Sequence, residues 1–172
     1  MHNFSELIQN SVTFNLKALE SVQENVVSAF QTSASTSLVK TLQMVQLQKA
    51  ITVVGMFSMF EAILQDELQC ADGFQQATRL LEVQGASALK ERFVDLQLAI
   101  NVLKHGRGRS YDVLIQKAKA VALPFRVKLP SEHFFNEGDI AEVSTLIEVD
   151  NAFVLLCVDV IREVSLIIKS AN

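Results

Sequence analysis

The residue types best suited to chemistry sit together in one short stretch. Asn101-Val102-Leu103-Lys104-His105 closes a helical pattern, and Gly106-Arg107-Gly108-Arg109-Ser110-Tyr111 follows it. A histidine at a helix C-terminus feels the macrodipole, which favours its protonated form. Lys104, Arg107 and Arg109 oppose that by like-charge repulsion. Beside an amide and fixed cations, such an imidazole suits acid–base work on a phosphodiester, and as a plain alternative it caps the helix. The Gly-Arg-Gly-Arg run offers flexible backbone donors and guanidiniums ahead of a new helix N-terminus, a combination that suits an anion. It is not a dinucleotide fingerprint, because a helix precedes it and the third glycine is missing, and it is not a Walker loop. Its glycines alternatively close one helix and turn into the next.

Charge singles out the same region. The net charge is −4, which points away from general affinity for nucleic acid or anionic membranes. Yet Lys104, Arg107, Arg109, Lys117, Lys119, Arg126 and Lys128 fall between positions 104 and 128 with Asp112 as the single acid, a local charge of +6. A basic segment in an acidic chain marks either an anion site or a solvated helix face. Lys104, Arg107, Arg109 and Lys117 are the candidate phosphate ligands.

Other chemistries find little support. There is no Gly-x-Ser-x-Gly elbow and no His-Glu-x-x-His pair. Cys70 and Cys157 are far apart in sequence, and Cys157 falls on an apolar face. His2 is near the terminus and His133 has no cysteine nearby, so neither a metal site nor a cofactor is expected. The N-terminus lacks the basic start and apolar run of a secretory signal. The longest apolar stretch, Ala50 to Leu64, contains Thr52, Ser58 and Glu61 and is shorter than the roughly 20 residues of a membrane span. The expectation is a cytoplasmic chain with reduced thiols and no membrane contact.

These side chains must be placed by helices. At 172 residues the chain is the size of one domain, read as a single unit over 1–172. Six glycines and two prolines are too few for a many-turned β fold. Phe4, Ile8, Val12, Leu19, Val22, Val26 and Phe30 recur at helical spacing. The serine- and threonine-rich run 32–37 separates that helix from a second over about 37–69, whose middle is apolar on most sides and is expected to be central. Asp72 is placed to cap a short third helix ending near Gly85, Ser87 a fourth over 88–105, and Ser110 a fifth over 111–121. Pro124 to Pro130 alternates Phe125, Val127 and Leu129, which predicts a short extended segment. Residues 131–148 carry no clear pattern. From Asp150 a last helix aligns Phe153, Cys157, Val160, Val164 and Ile167. The fold class is an all-α helical bundle of five to six helices. Val53, Val54, Phe57, Phe60, Phe93, Leu96, Ile100, Phe153, Val160 and Val164 are its expected core.

The fourth helix has two apolar stripes. Leu89, Phe93, Leu96, Ile100 and Leu103 follow core spacing, while Val94, Leu98 and Val102 form another stripe more than a quarter turn away. Gln97, Asn101 and His105 lie alongside. The second stripe is covered either within the chain or by a second copy, and a homodimer with its seam near Val94, Leu98, Val102 and His105 is the expectation.

Two segments resemble the HEPN superfamily of all-α bundles found in bacterial defence, toxin–antitoxin and RNA-processing systems. Phe60-Glu61-Ala62-Ile63-Leu64 is similar to the second-helix segment that points an acid at the family's active site. Asn101-Val102-Leu103-Lys104-His105-Gly106, with Ser110 and Tyr111 opening the next helix, is similar to its polar-residue-to-histidine helix end. The resemblance implies a dimer whose paired helix ends form a metal-independent ribonuclease site, with His105, Asn101 and Glu61 in catalytic positions. It equally implies a non-catalytic relative that binds RNA or nucleotide. Where active members carry an arginine, this chain has Leu98, Ala99 and Ile100; Arg107 and Arg109 follow the histidine instead.

Three functions therefore stand side by side. The first is a binding or regulatory module for RNA or nucleotide phosphate. The second is a ribonuclease with His105 as acid or base and Glu61 as charged helper. The third is a helical protein–protein interaction bundle in which the basic segment is incidental.

Overall fold

The computed structural model describes residues 2–33, 35–132 and 145–171. The expected all-α bundle forms from α1 (His2–Phe30), α2 (Thr36–Glu67), α3 (Gly73–Val83), α4 (Ser87–His105), α5 (Arg109–Ala120) and α6 (Asn151–Ala171). The helix ends follow local chemistry. The Asp72 carboxylate accepts from the backbone N–H of Gln75 at 2.8 Å, and Asp150 accepts from that of Phe153 at 2.7 Å. The two serines expected as caps do not serve. The carbonyls of Ala86 and Gly108 already accept the first intrahelical bonds, from Lys90 and Asp112, so Ser87 and Ser110 lie inside the first turn. The extended segment pairs briefly with the residues before α6, through Lys128 N–H to the Leu146 carbonyl at 2.9 Å and Glu148 N–H to the Arg126 carbonyl at 3.1 Å. Of the stretch 131–148 that had no clear pattern, 133–144, with His133, lies outside the described residues.

Helices α1 and α2 form an antiparallel hairpin, with the Asn15 amide donating to the Thr52 hydroxyl at 2.9 Å. Helices α3 and α4 fold back beside α2, and α6 packs against α1, α2, α3 and α4. Nine of the ten expected core residues are buried; Val54 is half-buried. A knot of rings ties the bundle together. Phe60 stacks on Phe4 with centroids 6.3 Å apart and meets Phe74 at 6.4 Å and Phe93 at 6.2 Å.

Two expectations are modified. The middle of α2 is not buried all round. Val53, Met56, Phe57, Phe60 and Leu64 face inward, but Met44, Leu47, Ile51 and Met59 are exposed. By length and composition this helix is apolar enough to cross a membrane, yet 39% of its most apolar window is buried in the bundle. The second stripe of α4 is partly covered within the chain, since α5 packs on α4: Val102 is buried and Val94 and Leu98 are half-buried. That stripe does not by itself require a second copy.

An ion pair fixes α5 on α4. The Lys117 ammonium lies 2.7 Å from both oxygens of the buried Asp95 and 2.8 Å from Glu91. Burial alone would lower the Lys117 pKa, but the two carboxylates together hold it above its ordinary value. Asp95→Ala leaves this ammonium without its main partner and is expected to cost about 2 kcal/mol in urea unfolding. Glu91→Ala, which removes an exposed carboxylate, is expected to leave the midpoint nearly unchanged.

Candidate functional site

A cleft of about 550 Å³ opens between α2, α3 and α4. Helix α2 contributes Ser58 and Glu61; α3 and its cap contribute Asp72, Gln75, Thr78 and Arg79; α4 contributes Val94, Gln97, Asn101 and Lys104. Phe57, Phe74 and Ile100 complete the wall. The α4 residues follow steps of three and four, so one face of that helix lines the whole cleft. This is the polar face that runs alongside its two apolar stripes.

The cleft owes its shape to one close approach. A Cβ on Gly73 would meet the Glu61 carbonyl and the Leu64 Cβ at 2.7 Å and the Gln65 nitrogen at 2.9 Å. Glycine therefore lets α3 begin directly against the backbone of α2, at the turn that carries Glu61. The Asp72 cap then fixes where α3 points, and Gln75, Thr78 and Arg79 follow on its exposed side. Below them the rings of Phe74 and Phe93 meet edge to face at 5.5 Å, which holds α3 on α4.

The cleft is mixed in charge. Glu61 and Asp72 supply acceptors, Arg79 and Lys104 are exposed cations, and Gln97 and Asn101 offer amides. The Gln97 Nε2 is buried and has no hydrogen-bond partner among the described residues. A buried donor left open is costly unless something polar reaches it. Among the described residues no cluster of three or more His, Cys, Asp or Glu side chains is arranged to hold a metal ion.

The residues singled out for chemistry divide. Glu61, Asn101 and Lys104 share the cleft. His105 is exposed at the end of α4 and does not line it, and Arg107 and Arg109 are exposed beyond it at the turn into α5. That turn is made by Gly106 in the left-handed region, φ 73°, whose N–H closes the helix on the Val102 carbonyl at 2.8 Å. Arg107 lies near Tyr111. Burial raises the Tyr111 pKa and the guanidinium partly offsets this, while the phenol donates to the Lys128 carbonyl at 2.6 Å. Lys117 sits elsewhere, with its donors held by Asp95 and Glu91; a phosphate would have to displace both carboxylates. Arg126 is likewise paired, to Glu132 and Glu148 at 3.1 Å each.

Sequence reasoning missed Arg79, Asp72 as a cleft residue, Gln75 and Thr78. Nothing in the short third helix marks them, because its periodicity tells only which side is buried. Gln97 did carry a signal, being four residues before Asn101 on the same face.

Comparison with known protein families, with characterised proteins and with solved structures gave no match. The site therefore rests on its own geometry. Gly73→Ala tests that geometry. Forcing α3 off α2 is expected to cost about 1–3 kcal/mol in thermal or urea unfolding, the usual range for overpacking a close contact. Gly55→Ala, on the open side of α2 where an added Cβ meets nothing of its own chain within 4 Å, is expected to leave the fold of the single chain unchanged or slightly more stable.

Proposed function

We propose that this chain is a helical binding module that takes an RNA or nucleotide phosphate into the cleft between α2, α3 and α4. The observation that carries the reading is the meeting of two exposed cations, Arg79 and Lys104, with two amides, Gln97 and Asn101, in one cleft. Cations position a phosphate, whereas amides read the edges of a base. The half-buried Phe74 ring in the wall offers a surface for stacking. The volume lies within the range of small-ligand sites, so a mononucleotide or one nucleotide of a strand fits. From Lys104, at the end of α4, a longer strand would continue past His105 to Arg107 and Arg109. Glu61 would accept a ribose hydroxyl or an amino group.

Binding rather than turnover is the function favoured, since His105 does not line the cleft that holds Glu61 and Asn101. The resemblance to HEPN proteins supports a ligand of this class, and a cytoplasmic location fits it.

The test is a titration of AMP, ATP and a labelled single-stranded RNA against the intact chain. Arg79→Ala and Lys104→Ala are expected to weaken each ligand by about tenfold, the loss of one charge-assisted contact. Arg107→Ala and Arg109→Ala are expected to weaken RNA more than mononucleotide. Each lost phosphate contact should reduce the salt slope for RNA by roughly one. Absence of affinity, or affinity indifferent to Arg79 and Lys104, would remove the reading. RNA cleavage that survives chelation and disappears in His105→Ala would replace it with a metal-independent ribonuclease.

A further inference from the structure

The bundle leaves one side of its longest helix open. Met44, Leu47, Ile51, Gly55, Met59 and Ala62 follow one another along α2 at steps of three and four, and all six are exposed. Lys40 precedes this strip and Asp66 follows it, each a further four residues along and each exposed. Between these ends the strip carries no charge. Lys49 is buried on the opposite side of the helix, and Glu61 lines the cleft. Leu7 and Phe14, seven residues apart on the adjoining α1, are also more than half exposed. Together these side chains present on the order of 500 Å² of apolar surface. That is in the upper part of the roughly 300–600 Å² that the largest apolar patch of a monomer covers, and a large part of the roughly 800 Å² that each partner buries in a stable pair.

We propose that a second copy of this chain covers the strip, with the two α2 helices antiparallel about a two-fold axis at the height of Val53. The strip is complementary to itself in that register and in no parallel one. Lys40 of each copy falls opposite Asp66 of the other, and Met44 opposite Ala62. Leu47 falls opposite Met59, and Ile51 opposite Gly55. In two of these three pairs a large side chain meets a small one, Met44 with Ala62 and Ile51 with Gly55, and the space above Gly55, where an added Cβ would touch nothing within 4 Å, receives an isoleucine. The end charges are opposite in sign in this arrangement, whereas a parallel pair would set lysine against lysine and aspartate against aspartate. The uncharged strip also allows two chains of net charge −4 to approach without placing like charges in contact. Each residue pair occurs twice, as an isologous interface requires.

Light scattering or sedimentation of the intact chain at tens of micromolar is expected to give twice the chain mass. Ile51→Glu should give the monomer mass with unchanged helical circular dichroism, because Ile51 is exposed; Met44→Glu is the second variant should the first misfold. The register is read by cross-linking in a Cys70→Ser background. Met44→Cys combined with Ala62→Cys should form an interchain disulfide, which neither single variant forms. The two positions are about 27 Å apart along one helix, too far for a bridge within a chain. Lys40→Asp and Asp66→Lys should each weaken the dimer, and the double exchange should restore it. A monomeric chain, a dimer that survives both glutamate variants, or cross-linking by Met44→Cys alone would overturn the proposal. So would a monomer that binds neutral phosphatidylcholine vesicles, which would make the strip a lipid contact.

Discussion

One ring, Phe60, touches three others, and through them four helices share a single point of contact. Phe4 belongs to α1, Phe74 to α3 and Phe93 to α4, so the register of each helix against α2 is decided where these rings meet. Aromatic pairs of this kind prefer offset or edge-on geometry, which fixes angle as well as distance. Glu61 is the next residue after Phe60, and its carbonyl is one of the atoms that a side chain at position 73 would strike. The same constraint that closes the core therefore places one wall of the cleft. Core and site are adjacent turns of one helix.

Charge behaves differently in the folded chain than along the sequence. The basic segment holds seven cations, but folding assigns them to different duties. Lys117 and Arg126 are held by carboxylates, and Lys128 is buried with its carbonyl bound by Tyr111. Lys104, Arg107, Arg109 and Lys119 remain exposed. The segment thus splits into cations that fasten α5 and the extended strand, and cations that face solvent. A local charge of +6 measured along the chain overstates the field a ligand would meet.

The architecture was legible because its signals are local. Helical spacing places Phe57, Phe60, Phe93 and Val160 inside, and the carboxylates of Asp72 and Asp150 mark two helix starts with a specific hydrogen bond. Glu61 was singled out by the family resemblance, Asn101 by its face of α4 and Lys104 by charge, and all three line the cleft. What stayed hidden depends on neighbours that no periodicity encodes. Arg79 enters the cleft only because Gly73 lets α3 sit so close to α2. The open side of α2 reads as core, because Met44, Ile51 and Met59 are as apolar as residues that are covered. Spacing identifies a face; it does not say whether another helix exists to meet it.

Helix α6 has a consequence for how this chain is made. Nine of its residues are buried, against four other helices, and all of those helices precede it in the chain. Until it emerges from the ribosome, the surfaces it seals on α1, α2, α3 and α4 have no cover. At roughly 5–20 residues per second, its 21 residues take about one to four seconds to synthesise. Escape from aggregation then depends on how soon α6 follows, and a chaperone that binds apolar grooves would compete with α6 for the same place.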